Sequence, residues 1–136
     1  MMQTTLPLIT AFWAGLIGLL GFALSIHVVH LRQKLDVGLG DGGHEELTRA
    51  TRVFGNFAEY TALCLILIAL LDMLAGPRWL IHLCGAALLL GRAAHAWGIT
   101  GSRGVSAGRV VGMMATWAVM LVTSIALIWT ARGAIL

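Results

Sequence analysis

In this chain of 136 residues, 59% are hydrophobic and only 11% charged, whereas a water-solvated domain carries about 25% charged residues. The length argues for a single domain. The net charge of +3 is scattered along the chain, which excludes the concentrated basic face of a nucleic-acid binder.

The first apolar span covers about 6–32. No Lys or Arg precedes Arg32, and the apolar stretch 6–31 is 26 residues long. A signal-peptide core is about 7–15 residues, so this reads as a retained span. Gly15, Gly18 and Gly21 recur every third residue and predict a face for close helix packing. The segment 34–46 contains VGLGDGGHEE. Its glycines Gly38, Gly40, Gly42 and Gly43 resemble a phosphate cradle, but no strand precedes them and no Lys-Ser/Thr pair follows. An inter-helix loop is the better reading.

The second span, about 47–74, opens as a charged amphipathic segment with Arg49, Arg52, Asn56 and Glu59 and is purely apolar over 62–71. Ala75-Gly76-Pro77 ends it, since Gly and Pro break helices. The third span, about 78–99, carries His82, Arg92 and His95. A second glycine-rich loop, 101–108, leads into the fourth, about 109–130, where Gly108 and Gly112 form another small-residue pair. Cys64 and Cys84 lie inside apolar runs with no ligand-spaced His or carboxylate. They read as small hydrophobes.

Lipid offers no partner to backbone polar groups, so the spans must be helices. Short connections make neighbours antiparallel. The expected fold is therefore all-α, an integral membrane four-helix bundle of up-down order. The two connections that share one face carry Arg32, Lys34, Arg49, Arg52, Arg103 and Arg109; the other face has only Arg78 and Arg132. The positive-inside rule then places both termini outside the cytoplasm and both glycine-rich loops inside it.

Charges within spans cost about 2.5–3.5 kcal/mol each on insertion scales and face a bundle interior or a cavity. Arg52, Asn56 and Glu59, spaced i, i+4, i+7, fall on one helical stripe with Arg49 beside it. Arg92, His95 and Ile99 form a similar stripe on the third helix. Arg109 opens the fourth, and His27, His30 and Arg32 close the first. All lie toward the cytoplasmic end. Together they predict a basic, amide-bearing pocket for a small anionic molecule: arginine forks bind carboxylates, Glu59 accepts from an ammonium, and Asn56 both donates and accepts. On residue types alone, a structural ion pair between Arg52 and Glu59 stands level with this reading. Arg32, Lys34 and Arg103 also suit headgroup anchoring. His82 suits an interface or packing role, and the five tryptophans an aromatic belt.

The segment RVFGNFAEY, Arg52 to Tyr60, resembles the helix-2 signature of the MAPEG family, the membrane-associated proteins in eicosanoid and glutathione metabolism. GRAAHAWG, Gly91 to Gly98, resembles that family's helix-3 motif. The span order is similar across essentially the whole chain. The resemblance implies a homotrimer in the bacterial inner membrane with glutathione between subunits near the cytosolic face. It implies that Arg52, Asn56 and Glu59 hold the tripeptide, with Tyr60 beside the glutamate. Arg92 and His95 match positions that line or brace the site. Arg109 matches the arginine proposed to stabilise the glutathione thiolate, and Arg32 is the best helix-1 counterpart. Departures are Val110, where the prostaglandin-forming branch has a serine, and Trp97 and Ile99, where some members carry tyrosines. They point away from an eicosanoid substrate, toward the short bacterial members.

The implied function is a glutathione-dependent transferase or peroxidase acting on membrane-dissolved hydrophobic electrophiles, with no metal and no covalent protein nucleophile. Glutathione brings its own thiol, and Arg109 would favour the thiolate. The alternative is a non-catalytic scaffold that binds glutathione or another small anion. A transport path needs polar residues across the midplane, and these stripes occupy one end only.

Overall fold

The computed structural model describes residues 5–101 and 106–135. The order is α1 (Leu8–Leu35), α2 (Glu45–Met73), α3 (Arg78–Gly101) and α4 (Ala107–Ile135), with no strand among the described residues. All four helices are long and apolar enough to cross a membrane. Both α1 and α4 continue past their apolar stretches. α1 ends only where Asp36 turns left-handed (φ 54) and its N–H and that of Val37 return to Gln33 and Arg32 carbonyls. Arg103 lies outside the described residues.

Pairwise contacts fix the directions. The Thr5 N–H at the start of α1 donates to the Met73 carbonyl at the end of α2, 3.0 Å away. At the other end Leu31 packs on Leu47 and Ala50. Ser106 at the entry to α4 donates to the Gly98 carbonyl near the end of α3, at 2.8 Å. Helices α2, α3 and α4 all touch one another, whereas α1 touches α2 and α3 but not α4. The core at their junction contains Ile17, Phe57, Cys64, Ile68, Leu71, Ile81, Leu88 and Val119. Apolar burial drives little association in lipid, so close packing and hydrogen bonds carry the assembly.

Glycines set the closest backbone-to-backbone packing at α3–α4, not along the α1 glycine stripe. A Cβ on Gly98 would meet the Arg109 backbone N at 2.6 Å and the Gly108 carbonyl carbon at 2.9 Å. One on Gly112 would meet the Gly91 carbonyl oxygen and, at 2.7 Å, the backbone N and Cβ of His95. A Cβ added at Gly15 or Gly18 would meet nothing within 4 Å, whereas one at Gly21 would meet the Phe57 ring at 2.7 Å. Trp13 is the tryptophan that turns inward. Its ring lies on Gly85, and its indole N–H donates to His82 Nδ1 at 3.2 Å. Trp79, Trp97, Trp117 and Trp129 are exposed.

Asp72 holds the start of α1 from across the bundle. It is 6% exposed, and its Oδ2 accepts from the Thr10 N–H at 2.9 Å and the Thr10 hydroxyl at 3.0 Å. The residue before α1 is Pro7, which makes no side-chain cap. A carboxylate from α2 satisfies an orphan amide there and complements the helix dipole.

Candidate functional site

The cleft lies at the end of the bundle where α2 begins, α3 ends and α4 begins. α2 enters it with acidic residues in its first turn, Glu45 and Glu46, as the positive end of a helix dipole favours. One to four turns on, Arg49, Arg52, Asn56 and Glu59 present one face to a cleft of about 380 Å³. Facing them are His95 and Ile99 from α3 and Arg109 and Met113 from α4. The volume falls within the range of small-molecule pockets, about 300–1,000 Å³.

The α3–α4 glycine seam brings the far wall together. With Gly98 against Gly108 and Gly91 against Gly112, the α4 backbone comes close enough for His95 Nδ1 to lie 3.1 Å from the Arg109 carbonyl oxygen. A carbonyl oxygen can only accept, so Nδ1 carries the hydrogen.

Arg92 does not line the cleft. It is 1% exposed, and its guanidinium sits beneath Asn56. One Nη donates to Asn56 Oδ1 at 2.6 Å and the other to Thr116 Oγ1 at 3.5 Å, while Nε has no partner. Thr116 in turn donates to the Gly112 carbonyl at 2.8 Å. Because Arg92 has only donors, Asn56 must turn its oxygen inward and its NH₂ toward the cleft. The wall therefore offers donors from Arg49, Arg52, Asn56 and Arg109, and acceptors from Glu45 and Glu59. Arg49 pairs with Glu45 at 3.8 Å on partly exposed side chains, a pair of little energetic weight. No ion pair joins Arg52 to Glu59 among the described residues.

Of the other sequence candidates, Tyr60 is half-buried and does not line the cleft. Arg32 turns away from it and donates to the carbonyls of Val37, Gly38 and Gly40, the last at 3.0 Å, so it organises the α1–α2 loop. His27 and His30 are exposed on α1. No group of three or more His, Cys, Asp or Glu among the described residues could hold a metal. Asp72 belongs to none of the motifs legible in the sequence. The available signal was a lone carboxylate two residues before the end of an apolar run.

A second groove of about 280 Å³ adjoins the cleft and shares His95, Arg109 and Met113 with it. Its remaining walls, Val110, Met114 and Trp117, are apolar and exposed on α4. A polar compartment and an apolar one thus meet at His95 and Arg109.

The model of the MAPEG family matches residues 10–129, a range that includes every residue of this cleft. The inner membrane protein YecN of Escherichia coli strain K12 is 36% identical over 122 residues, covering 90% of this chain and 92% of that protein. The YecN protein of Escherichia coli O6:H1 strain CFT073 matches to the same extent. No solved structure matches. The family model and the near full-length likeness together show that this four-helix membrane protein belongs to the MAPEG family.

Proposed function

We propose that the chain is a glutathione-dependent transferase or peroxidase acting on hydrophobic electrophiles dissolved in the membrane. The observation that carries this reading is the junction of the two compartments: a cleft with three arginines, the Asn56 amide and the carboxylates Glu45 and Glu59, opening at His95 and Arg109 onto an apolar groove. A tripeptide with two carboxylates and one ammonium suits the first. Arg49 and Arg52 meet its carboxylates, Glu59 its ammonium, and Asn56 donates to a carbonyl or carboxylate oxygen. A lipid-dissolved electrophile suits the second.

Arg109, at the seam, stabilises the thiolate. A free thiol with a pKa of about 8.5 is mostly protonated at neutral pH, and each unit of depression corresponds to about 1.36 kcal/mol. The protein assembles as a homotrimer with the site near the cytoplasmic face and both termini outside. The arginines are easier to bury between subunits than within one short bundle.

Val110, exposed next to Arg109, favours one other reading. An apolar residue there adds no hydrogen-bond donor for a developing charge, as a binding scaffold without chemistry would allow. Calorimetry with glutathione tests both. Saturable binding by the native protein that Arg52→Ala and Glu59→Ala each abolish, followed by thiol conjugation of a hydrophobic electrophile, supports the enzyme. Binding without turnover supports the scaffold, and no binding by the folded protein sinks both.

A further inference from the structure

His95 is 6% exposed, and among the described residues only one of its two ring nitrogens is hydrogen-bonded. Nδ1 is fixed as the protonated nitrogen by the Arg109 carbonyl at 3.1 Å. Nε2 makes no hydrogen bond to any described residue. In the neutral ring that nitrogen carries a lone pair and no hydrogen. The side chain lines both the polar cleft and the apolar groove, so an unpartnered base stands where the two compartments meet. The glycine seam holds the ring's other edge against the α4 backbone and thereby fixes its tautomer.

We propose that His95 Nε2 is the proton acceptor of the site, taking the hydrogen of a bound cosubstrate thiol. This rests on the glutathione reading above. The S–H bond breaks, an Nε2–H bond forms, and the electron pair stays on sulfur as a thiolate beside the Arg109 guanidinium. The thiolate then attacks the electrophile in the apolar groove, forming a carbon–sulfur bond as the leaving group departs with its electron pair. The imidazolium returns its proton to that leaving group or to water. Arg109 alone favours the thiolate but gives the proton no destination within the protein.

The charged groups around the ring are Glu45, Arg49, Arg52 and Glu59 from α2, Arg109 from α4, and Arg92 from its own helix. The two carboxylates, Glu45 and Glu59, reach the cleft from α2.

The test uses the intact membrane protein and its His95→Asn variant, whose amide N–H still donates to the Arg109 carbonyl while the base is deleted. His95→Gln serves as a second variant should the first not fold. Three readouts are compared: binding of S-methylglutathione, ultraviolet titration of the bound glutathione thiolate, and the pH–rate profile of conjugation. The expected result is unchanged binding of the blocked thiol with a titration displaced toward the free-thiol value of about 8.5. The neutral-pH rate falls about 10²–10⁴-fold, the usual share of a general base, and recovers as pH rises. Native titration and profile in the variants would overturn the proposal and leave the cleft reading intact. So would an equal loss of the blocked analogue, which would make His95 a binding contact. Failure of the native protein to bind S-methylglutathione would overturn the cleft reading and this proposal with it.

Discussion

Adding one methyl group at Gly112 tests how the glycine seam builds the site. In Gly112→Ala the new Cβ meets the backbone N and Cβ of His95 at 2.7 Å, against the 3.4 Å at which ordinary contact begins, and the Gly91 carbonyl oxygen closer still, so α3 and α4 must part by at least 0.7 Å. The Gly91 carbonyl oxygen opposes the same atom, so rotating a side chain cannot relieve the contact. The His95–Arg109 hydrogen bond, already 3.1 Å long, would stretch beyond bonding range. Overpacking of this kind costs about 1–3 kcal/mol. At roughly 2–4 °C per kcal/mol, thermal unfolding in detergent should fall by roughly 2–12 °C. Unfolding of this kind is often irreversible, so midpoints are compared at one scan rate. Gly133→Ala, where the new Cβ would meet nothing within 4 Å, is the control and should hold or slightly raise the midpoint, since alanine favours helix over glycine. Glutathione affinity should fall in Gly112→Ala and hold in the control. A Gly112→Ala protein with native midpoint and native affinity would refute the claim that backbone proximity at this seam positions His95 and Arg109.

Asp72→Ala strands the Thr10 N–H and hydroxyl and should cost about 1–3 kcal/mol in the same unfolding assay; because Asp72 sits at the opposite end of α2 from the cleft, ligand affinity should not change. Arg92→Met removes a buried cation, so stability should hold or rise, while calorimetry should show affinity for glutathione about tenfold lower, the equivalent of one lost hydrogen bond, because Asn56 is free to turn its oxygen outward. The Asp41 carboxyl is held below its ordinary pKa by the Gly43 N–H and the Thr48 hydroxyl. A group lowered in this way stabilises its loop above the unfolded pKa and loses that contribution as pH falls through the folded value. Amide-exchange protection of Gly43 should therefore drop at acid pH in the native chain and stay flat in Asp41→Asn.

The four helices were legible because lipid imposes a single rule, long apolar runs with internally bonded backbones, and the α2 stripe was legible because i, i+4, i+7 spacing fixes a face whatever the neighbours do. That α2 would meet His95 and Arg109 followed from their sharing one end. The depth of each residue did not follow. Arg92 and His95 lie on one stripe of α3, yet one is sealed beneath Asn56 and the other lines the cleft; helical periodicity gives azimuth, not distance from a neighbouring helix. Arg32 read equally as an anchor and a site residue because the carbonyls it holds belong to a loop whose path the sequence does not state. Glycine spacing marked both α1 and α4 as packing faces, but spacing does not say which stripe finds its partner within the chain. Asp72 was invisible for a related reason. Its role as cap depends on α1 and α2 meeting end to end, a relation between residues 62 positions apart.

The bonds of Arg92 also constrain how the chain is made. α3 is the least apolar of the four spans, and it alone carries a fully buried cation deep in its body. When α3 leaves the insertion machinery, Asn56 is already in the membrane and accepts from one end of the guanidinium. The Thr116 oxygen belongs to α4, which is synthesised later. For that interval Arg92 lies half-satisfied at the edge of an unfinished bundle, and the glycine faces Gly91 and Gly98 have nothing to close on. α3 should therefore settle only once α4 arrives, the last two spans entering as one hairpin. A nascent chain truncated before α4 should leave its third span poorly retained in the bilayer, whereas one released after α4 should hold all four.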